Sequence, residues 1–216
     1  MTKHTRTGRT RVKICGLTRD SDLEAAVDIG ADAIGLVLHA PSSRAVDIEQ
    51  ARGLLALLPP FVTSVGLFVD AEPQFVRAVL DRAPFDSLQF HGEEPPDYCG
   101  AFGRPWIKAI RMRPETNLQA QYERYTGARG LLLDTYDPAT AGGTGRRFDW
   151  DLVPEWIAPR IILAGGLTPD NVAEAVRRVG PYAVDVSGGV ESAKGVKDPV
   201  KMEAFLQGVR DGDRSR

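Results

Sequence analysis

The sequence predicts a single (β/α)8 barrel. Short apolar, β-branched segments alternate with segments of helical period through eight strand–helix units. The strand segments are apolar on both faces, which marks parallel strands joined by right-handed crossovers. The 216 residues fit one such barrel, and no linker or break in composition divides them. An open doubly wound sheet is the alternative. The glycine fingerprint that often opens such a sheet does not follow the first strand.

The strands are read in order at 12–16 (VKICG), 33–38 (AIGLVL), 63–69 (TSVGLFV) and 87–91 (SLQFH). The second half follows at 106–111 (WIKAIR), 130–135 (GLLLDT), 160–165 (RIILAG) and 183–187 (AVDVS). Amphipathic stretches at 23–29, 48–58, 74–81 and 171–179 supply helices. In the last of these, Val172, Ala175, Val176 and Val179 keep the i, i+3, i+4, i+7 spacing of one buried stripe. The barrel domain is placed at 11–208. Residues 1–10, basic and without an apolar run, and 209–216 are read as flexible ends.

A net charge of -2 and 26% charged residues give no reason to expect nucleic acid or an acidic membrane as partner. No apolar run approaches the roughly 18 residues of a membrane span. Two widely separated cysteines, Cys15 and Cys99, form neither a disulfide framework nor a metal spacing, and point to a reducing cytoplasm.

A barrel places its site at the carboxyl ends of the strands, so residues there carry the chemistry. Cys15 ends strand one; it is either a small core residue or a nucleophile and base. Asp134 follows three leucines at the end of strand six, where it either pairs structurally or serves as an acid. Lys13 shares a face with Cys15 by the two-residue period of a strand. Asp185 lies on strand eight, the neighbour of strand one in a closed barrel, so a buried Lys13–Asp185 ion pair is expected. Gln89 and His91 share a face of strand four and are candidate lining residues.

Two glycine-rich turns follow strands seven and eight: AGGLTPDNV (164–172), with Gly165 and Gly166, and SGGVESAKG (187–195), with Ser187, Gly188 and Gly189. Glycines let backbone N–H groups approach an anion, and these two loops are the usual phosphate position of a barrel. Thr168 and Pro169 also read as the cap and first residue of a helix. A long glycine-rich loop at 137–150 is expected to act as a mobile cover. Arg44, after strand two, can grip a carboxylate in bidentate fashion.

Taken together, the blocks KICGLT, GADAIGLVL, PSSRAV, GLFVD, LQFHGEE, LLLDT, GGTGRRFDW, LAGGLTPDNV and VDVSGGVE resemble phosphoribosylanthranilate isomerases of tryptophan biosynthesis. The resemblance runs from about Arg11 to about Phe205. It implies a cytoplasmic (β/α)8 enzyme without cofactor or metal that acts on a small phosphoribosyl anthranilate by an Amadori rearrangement. It leaves monomer and homodimer open. It casts Asp134 as general acid, Cys15 as general base and Arg44 as the binder of the anthranilate carboxylate. It assigns phosphate binding to Gly165, Gly166, Ser187, Gly188 and Gly189, with Gly142, Gly143 and Gly145 from the loop after strand six. The thiol is expected to need only a modest lowering from about 8.5. Two departures stand out: Ser187-Gly188-Gly189 where the family often has Ser-Ser-Gly, and QFHG where QLHG is commoner.

Overall fold

A computed structural model describes residues 8–135 and 148–216. Eight parallel strands close in chain order into a barrel. They are β1 (Arg11–Cys15), β2 (Ala33–Val37), β3 (Thr63–Phe68), β4 (Ser87–Phe90), β5 (Trp106–Met112), β6 (Gly130–Thr135), β7 (Ile161–Leu163) and β8 (Ala183–Val186). Each segment read as a strand is one, with ends within two residues of those expected. The strands are buried on both faces because helices cover the outside and side chains fill the inside.

The helices are α1 (Asp20–Asp28), α2 (Ile48–Ala56), α3 (Pro73–Arg82), α4 (Pro96–Gly100), α5 (Leu118–Arg124), α6 (Val172–Val179) and α7 (Pro199–Arg214). Local chemistry sets their starts. Asp47 accepts from Gln50 N at 2.8 Å, and Asn117 accepts from Ala120 N at 3.0 Å. In the sixth unit the described residues carry only 3-10 turns, Trp150–Leu152 and Ala158–Arg160. On α6, Val172, Ala175 and Val176 are buried as the spacing predicts, and Gly180 ends the helix at φ 68°. Among the described residues, no helix is long and apolar enough to cross a membrane.

The expected flexible tail at 209–216 is instead the end of α7, which runs to Arg214 with Val209 and Gly212 buried. The helix lies close on α6 because Gly208 and Gly212 face it. A Cβ at either position would come within 2.8 Å of Val172 or Val176. Arg216 then donates from Nε to the Val176 carbonyl at 2.8 Å. The amino-terminal boundary also shifts. The Thr10 amide and hydroxyl each donate to Asp213 at 2.7 Å, and Arg9 pairs with Asp32. The two ends therefore lock together over the barrel floor; residues 1–7 lie outside the described residues.

Closure of the ring sets β1 against β8 with Lys13 opposite Asp185. Lys13 Nζ donates to Asp185 Oδ1 at 2.8 Å, with both side chains almost fully buried. The expected ion pair is thus present inside the barrel. Burial disfavours the ammonium, but Asp185 and the Cys15 sulfur outweigh it and hold the Lys13 pKa above its ordinary value. Lys13→Met leaves Asp185 buried and unpaired, at a cost of about 3–5 kcal/mol. For a chain of this size that is a fall in Tm of roughly 6–20 °C. Thermal unfolding by circular dichroism measures it; an unchanged Tm would show that the pair carries no stability.

Beyond β8 the chain forms a small antiparallel hairpin, β9 (Glu191–Ala193) and β10 (Val196–Lys197). Gly195 makes its turn at φ 79°. From sequence this stretch reads as part of a glycine-rich turn. Its charged residues return at the site below.

Candidate active site at the carboxyl ends of the strands

The last residue of β1 is Cys15, 5% exposed and on the same inward face as Lys13. Gly35 on the adjacent β2 makes room for both. A Cβ there would stand 2.8 Å from the Cys15 sulfur and 3.0 Å from Lys13 Nζ. Burial pushes the thiol above its ordinary pKa; Lys13 opposes this and Asp185 adds to it. The modest lowering that would suffice for the chemistry is not found, because a desolvated thiolate costs more than one ammonium already shared with Asp185 returns.

Asp134 sits near the end of β6. In the closed ring β6 is separated from β1 by β7 and β8, so the two strands look at one another across the mouth. The Asp134 carboxylate accepts from Thr135 N at 2.8 Å through Oδ1 and lies 3.1 Å from His91 Nε2 through Oδ2. Gln89 Nε2 is 3.0 Å from His91 Nδ1. With the Gln89 amide nitrogen donating to Nδ1, the ring proton is on Nε2 and is donated to Asp134. The two lining candidates therefore form a chain that ends on the β6 carboxylate. Sequence placed Gln89 and His91 on one face but gave no sign of that contact, which depends on the barrel bringing β4 and β6 together.

The loop bearing His91 is braced from below. Lys108 Nζ, buried on β5, donates to the Gly92 carbonyl at 2.6 Å and lies 3.3 Å from Glu94 Oε2. Glu94 in turn accepts from Gly92 N at 2.9 Å and Asp70 N at 2.8 Å. A fully desolvated ion pair thus satisfies the backbone of the turn after β4.

The two glycine turns meet. A Cβ on Gly189 would overlap the Leu167 carbonyl oxygen, so the β7 and β8 turns are in direct backbone contact. Gly165 and Gly166 turn the chain at φ 79° and 65°. A Cβ on Gly165 would be 2.9 Å from Asp134 Oδ1. The helix after this turn starts later than Thr168-Pro169 predicts: Asn171 is its cap. The Asn171 side chain is engaged in shaping the turn, accepting from Thr168 N and donating to the Gly166 carbonyl, both at 2.9 Å. On the other side, a Cβ on Gly16 would be 3.1 Å from Ser187 Oγ. The β7 turn therefore borders Asp134, and the β8 turn borders the residue after Cys15. Gly142, Gly143 and Gly145, and most of the loop expected as a cover, lie outside the described residues.

Arg44 reaches this rim, its stem lying over Gly16. Its guanidinium forms a bidentate pair with Glu191, Nε to Oε1 at 2.7 Å and Nη2 to Oε2 at 2.8 Å. Lys197 Nζ also donates to Glu191 Oε1 at 2.9 Å and to the Ser187 carbonyl at 3.1 Å. Burial raises the Glu191 carboxyl, but Arg44 and Lys197 outweigh it and hold it below the usual range. For Lys197 burial wins over the Glu191 attraction and the pKa falls. Sequence reading missed Glu191 and Lys197. The signal available was two opposite charges flanking the Gly195 turn, which a hairpin brings together. Among the described residues no three His, Cys, Asp or Glu side chains gather as metal ligands.

Comparison with known proteins agrees with this architecture. The family model described as N-(5'phosphoribosyl)anthranilate (PRA) isomerase matches residues 12–208. An N-(5'-phosphoribosyl)anthranilate isomerase of Pseudomonas putida is 58% identical over 200 residues, covering 93% of this chain and 97% of that protein. One from Thiobacillus denitrificans is 58% identical over 196 residues, covering 91% and 96%. The crystal structure of the Thermotoga maritima phosphoribosyl anthranilate isomerase superposes with TM-score 0.85 at 38% identity, covering 93% of this chain and 98% of that one. A phosphoribosyl anthranilate isomerase in complex with reduced 1-(o-carboxyphenylamino)-1-deoxyribulose 5-phosphate superposes with TM-score 0.81 at 36% identity, with the same coverage. With a family match along nearly the whole barrel and relatives of this identity, the chain belongs to the N-(5'-phosphoribosyl)anthranilate isomerase family.

Proposed function

We propose that this chain isomerises N-(5'-phosphoribosyl)anthranilate to 1-(2-carboxyphenylamino)-1-deoxyribulose 5-phosphate, an Amadori rearrangement in tryptophan biosynthesis. One observation carries the reading. Two touching glycine turns form a single cradle, with Asp134 bordering one turn and the Cys15–Gly16 strand end bordering the other. A phosphate held by Gly165, Gly166, Ser187, Gly188 and Gly189 leaves the attached sugar between an acid and a base. The reduced product analogue bound by a relative has the same two anionic ends, a phosphate and a carboxylate.

The chemistry proceeds by proton transfers. Asp134, as the acid, gives a proton to the furanose ring oxygen, and the C1–O bond breaks as the anthranilate nitrogen forms a Schiff base. Cys15, as the thiolate, removes the proton from carbon 2, and the electron pair moves to give an enolamine. Tautomerisation to the ketone, in which the C2 hydroxyl loses a proton and carbon 1 gains one, completes the isomerisation; solvent takes the proton from the Cys15 thiol and returns one to Asp134. No electron leaves the substrate, so the reaction calls for no redox cofactor. The His91–Gln89 chain orients the carboxylate of Asp134 between turnovers. Arg44 binds the anthranilate carboxylate at the rim.

The test is conversion itself. Anthranilate derivatives fluoresce, so adding the phosphoribosyl compound to the protein is expected to give a time-dependent fluorescence change and a product of unchanged mass. Binding without conversion by correctly folded protein would refute the reading. Arg44→Ala is expected to raise KM roughly tenfold or more, the scale of a lost charge-assisted hydrogen bond, with a smaller effect on kcat. An unchanged KM in steady-state assays would remove Arg44 from the carboxylate site.

A further inference from the structure

Arginine has two edges that can each hold a carboxylate: Nε with one terminal nitrogen, and the two terminal nitrogens together. In Arg44 the first edge is taken by Glu191. Among the described residues Nη1 makes no hydrogen bond, so the hydrogen-bonding capacity of the second edge is not used within them. Glu191 therefore does not compete with a ligand for that edge of the guanidinium; it sets the plane in which the second edge lies. Its own position is fixed in turn. Glu191 and Lys197 side chains are 6% and 0% exposed, and the lysine also holds the Ser187 carbonyl and lies 3.3 Å from Ser187 Oγ. One buried ammonium is thus bonded both to the carboxylate that orients Arg44 and to the backbone of the turn after β8.

We propose that Glu191 and Lys197 are positioning residues that hold the second edge of Arg44 at a fixed place relative to the β8 turn, and so select substrates by the separation of their carboxylate and phosphate. This rests on the reading of Arg44 as the carboxylate site. The Arg44–Glu191–Lys197–Ser187 chain is a ruler between two anion sites. A ligand with both anions at the right spacing meets groups already oriented, without the entropic cost of ordering a long side chain. A ligand lacking the carboxylate gains nothing from the ruler.

The test is steady-state kinetics with two substrates, N-(5'-phosphoribosyl)anthranilate and the N-phosphoribosyl aniline that lacks the carboxylate. Glu191→Gln, which preserves shape but turns an amide N–H toward one of its cationic neighbours, is expected to raise KM for the first roughly tenfold. KM for the second is expected to stay within about twofold, and kcat to change little for either. Glu191→Asp retains the charge beside Lys197, keeping the protein folded, but cannot reach both guanidinium nitrogens; it should show the same substrate-selective rise. The double variant Arg44→Ala/Glu191→Gln should bind no more weakly than Arg44→Ala alone. Equal losses on both substrates, or additive losses in the double variant, would overturn the positioning role and leave a purely structural one. A selective loss in Arg44→Ala with none in the Glu191 variants would overturn the ruler alone. An Arg44→Ala protein without substrate-selective loss would overturn the carboxylate reading beneath it, and the ruler with it.

Discussion

Asp134→Asn is expected to lower kcat by about 10²–10⁴-fold, the usual worth of a positioned general acid. The amide oxygen can still accept from Thr135 N, and its NH2 can donate to His91 Nε2 once the ring proton moves to Nδ1 and the Gln89 amide turns its oxygen toward it, so the local geometry should survive. What it cannot do is deliver a proton to the ring oxygen. Binding should be retained, because the glycine cradle and Arg44 do not pass through this side chain. Stopped-flow fluorescence separates the two steps: normal binding amplitude with a greatly slowed conversion phase is the expected pattern. Turnover within tenfold of the parent protein would take the acid role away from Asp134.

Cys15→Ala is expected to produce a loss of similar size, from the other proton transfer. Here the structure also determines a pH dependence. Burial holds the thiol above its ordinary value, while Asp185 and the Cys15 sulfur hold Lys13 above its own. In the proposed reaction the active species is the thiolate, so in Asp134→Asn, where the acid no longer titrates, the residual kcat/KM should rise with pH on its way through the raised thiol pKa and be small below it. A residual kcat/KM in that variant that does not depend on pH would mean that the base is not this thiol. Serine at position 15 should not rescue the rate, since a hydroxyl in the same apolar setting is harder still to ionise.

Much of the fold is written along the chain. Strands such as LLLDT and TSVGLF are continuous apolar runs too short for a helix, and each became a parallel strand buried on both faces. The Lys13–Asp185 pair followed from two local facts, the two-residue period of a strand and the need of a closed ring to set its last strand beside its first. The parts that stayed hidden depend on packing between distant elements. The tail from residue 209 has the polar composition of a loose end, yet Gly208 and Gly212 make a groove-fitting face that only the position of α6 reveals. The helix start after β7 moved from Thr168 to Asn171 because the Asn171 side chain is engaged in holding the turn.

The candidate site was legible in the same uneven way. Cys15, Asp134 and the two glycine turns stand out as candidates by lying at strand ends, where a barrel gathers its chemistry. Arg44 was visible as a charge near the mouth, but its neighbour was not. Glu191 is 147 residues away in sequence, and nothing local predicts a bidentate pair between them. The Gln89–His91–Asp134 chain likewise joins β4 to β6 across a strand that contributes no member to it. The elevated thiol pKa could not be read from residue types either. Lys13 two positions away suggests a lowered value, and only the burial of Cys15 together with the prior claim of Asp185 on that ammonium reverses the sign.

In the proposed reaction labour is divided: the glycine cradle and Arg44 bind, and Cys15 with Asp134 convert. The double variant Cys15→Ala/Asp134→Asn tests it in one measurement, fluorescence titration with N-(5'-phosphoribosyl)anthranilate followed by mass and chromatographic analysis of the bound compound. Substrate affinity within a few-fold of the parent protein is expected, with the compound recovered unconverted. Recovery of the isomerised product at a rate near that of the parent would contradict that division.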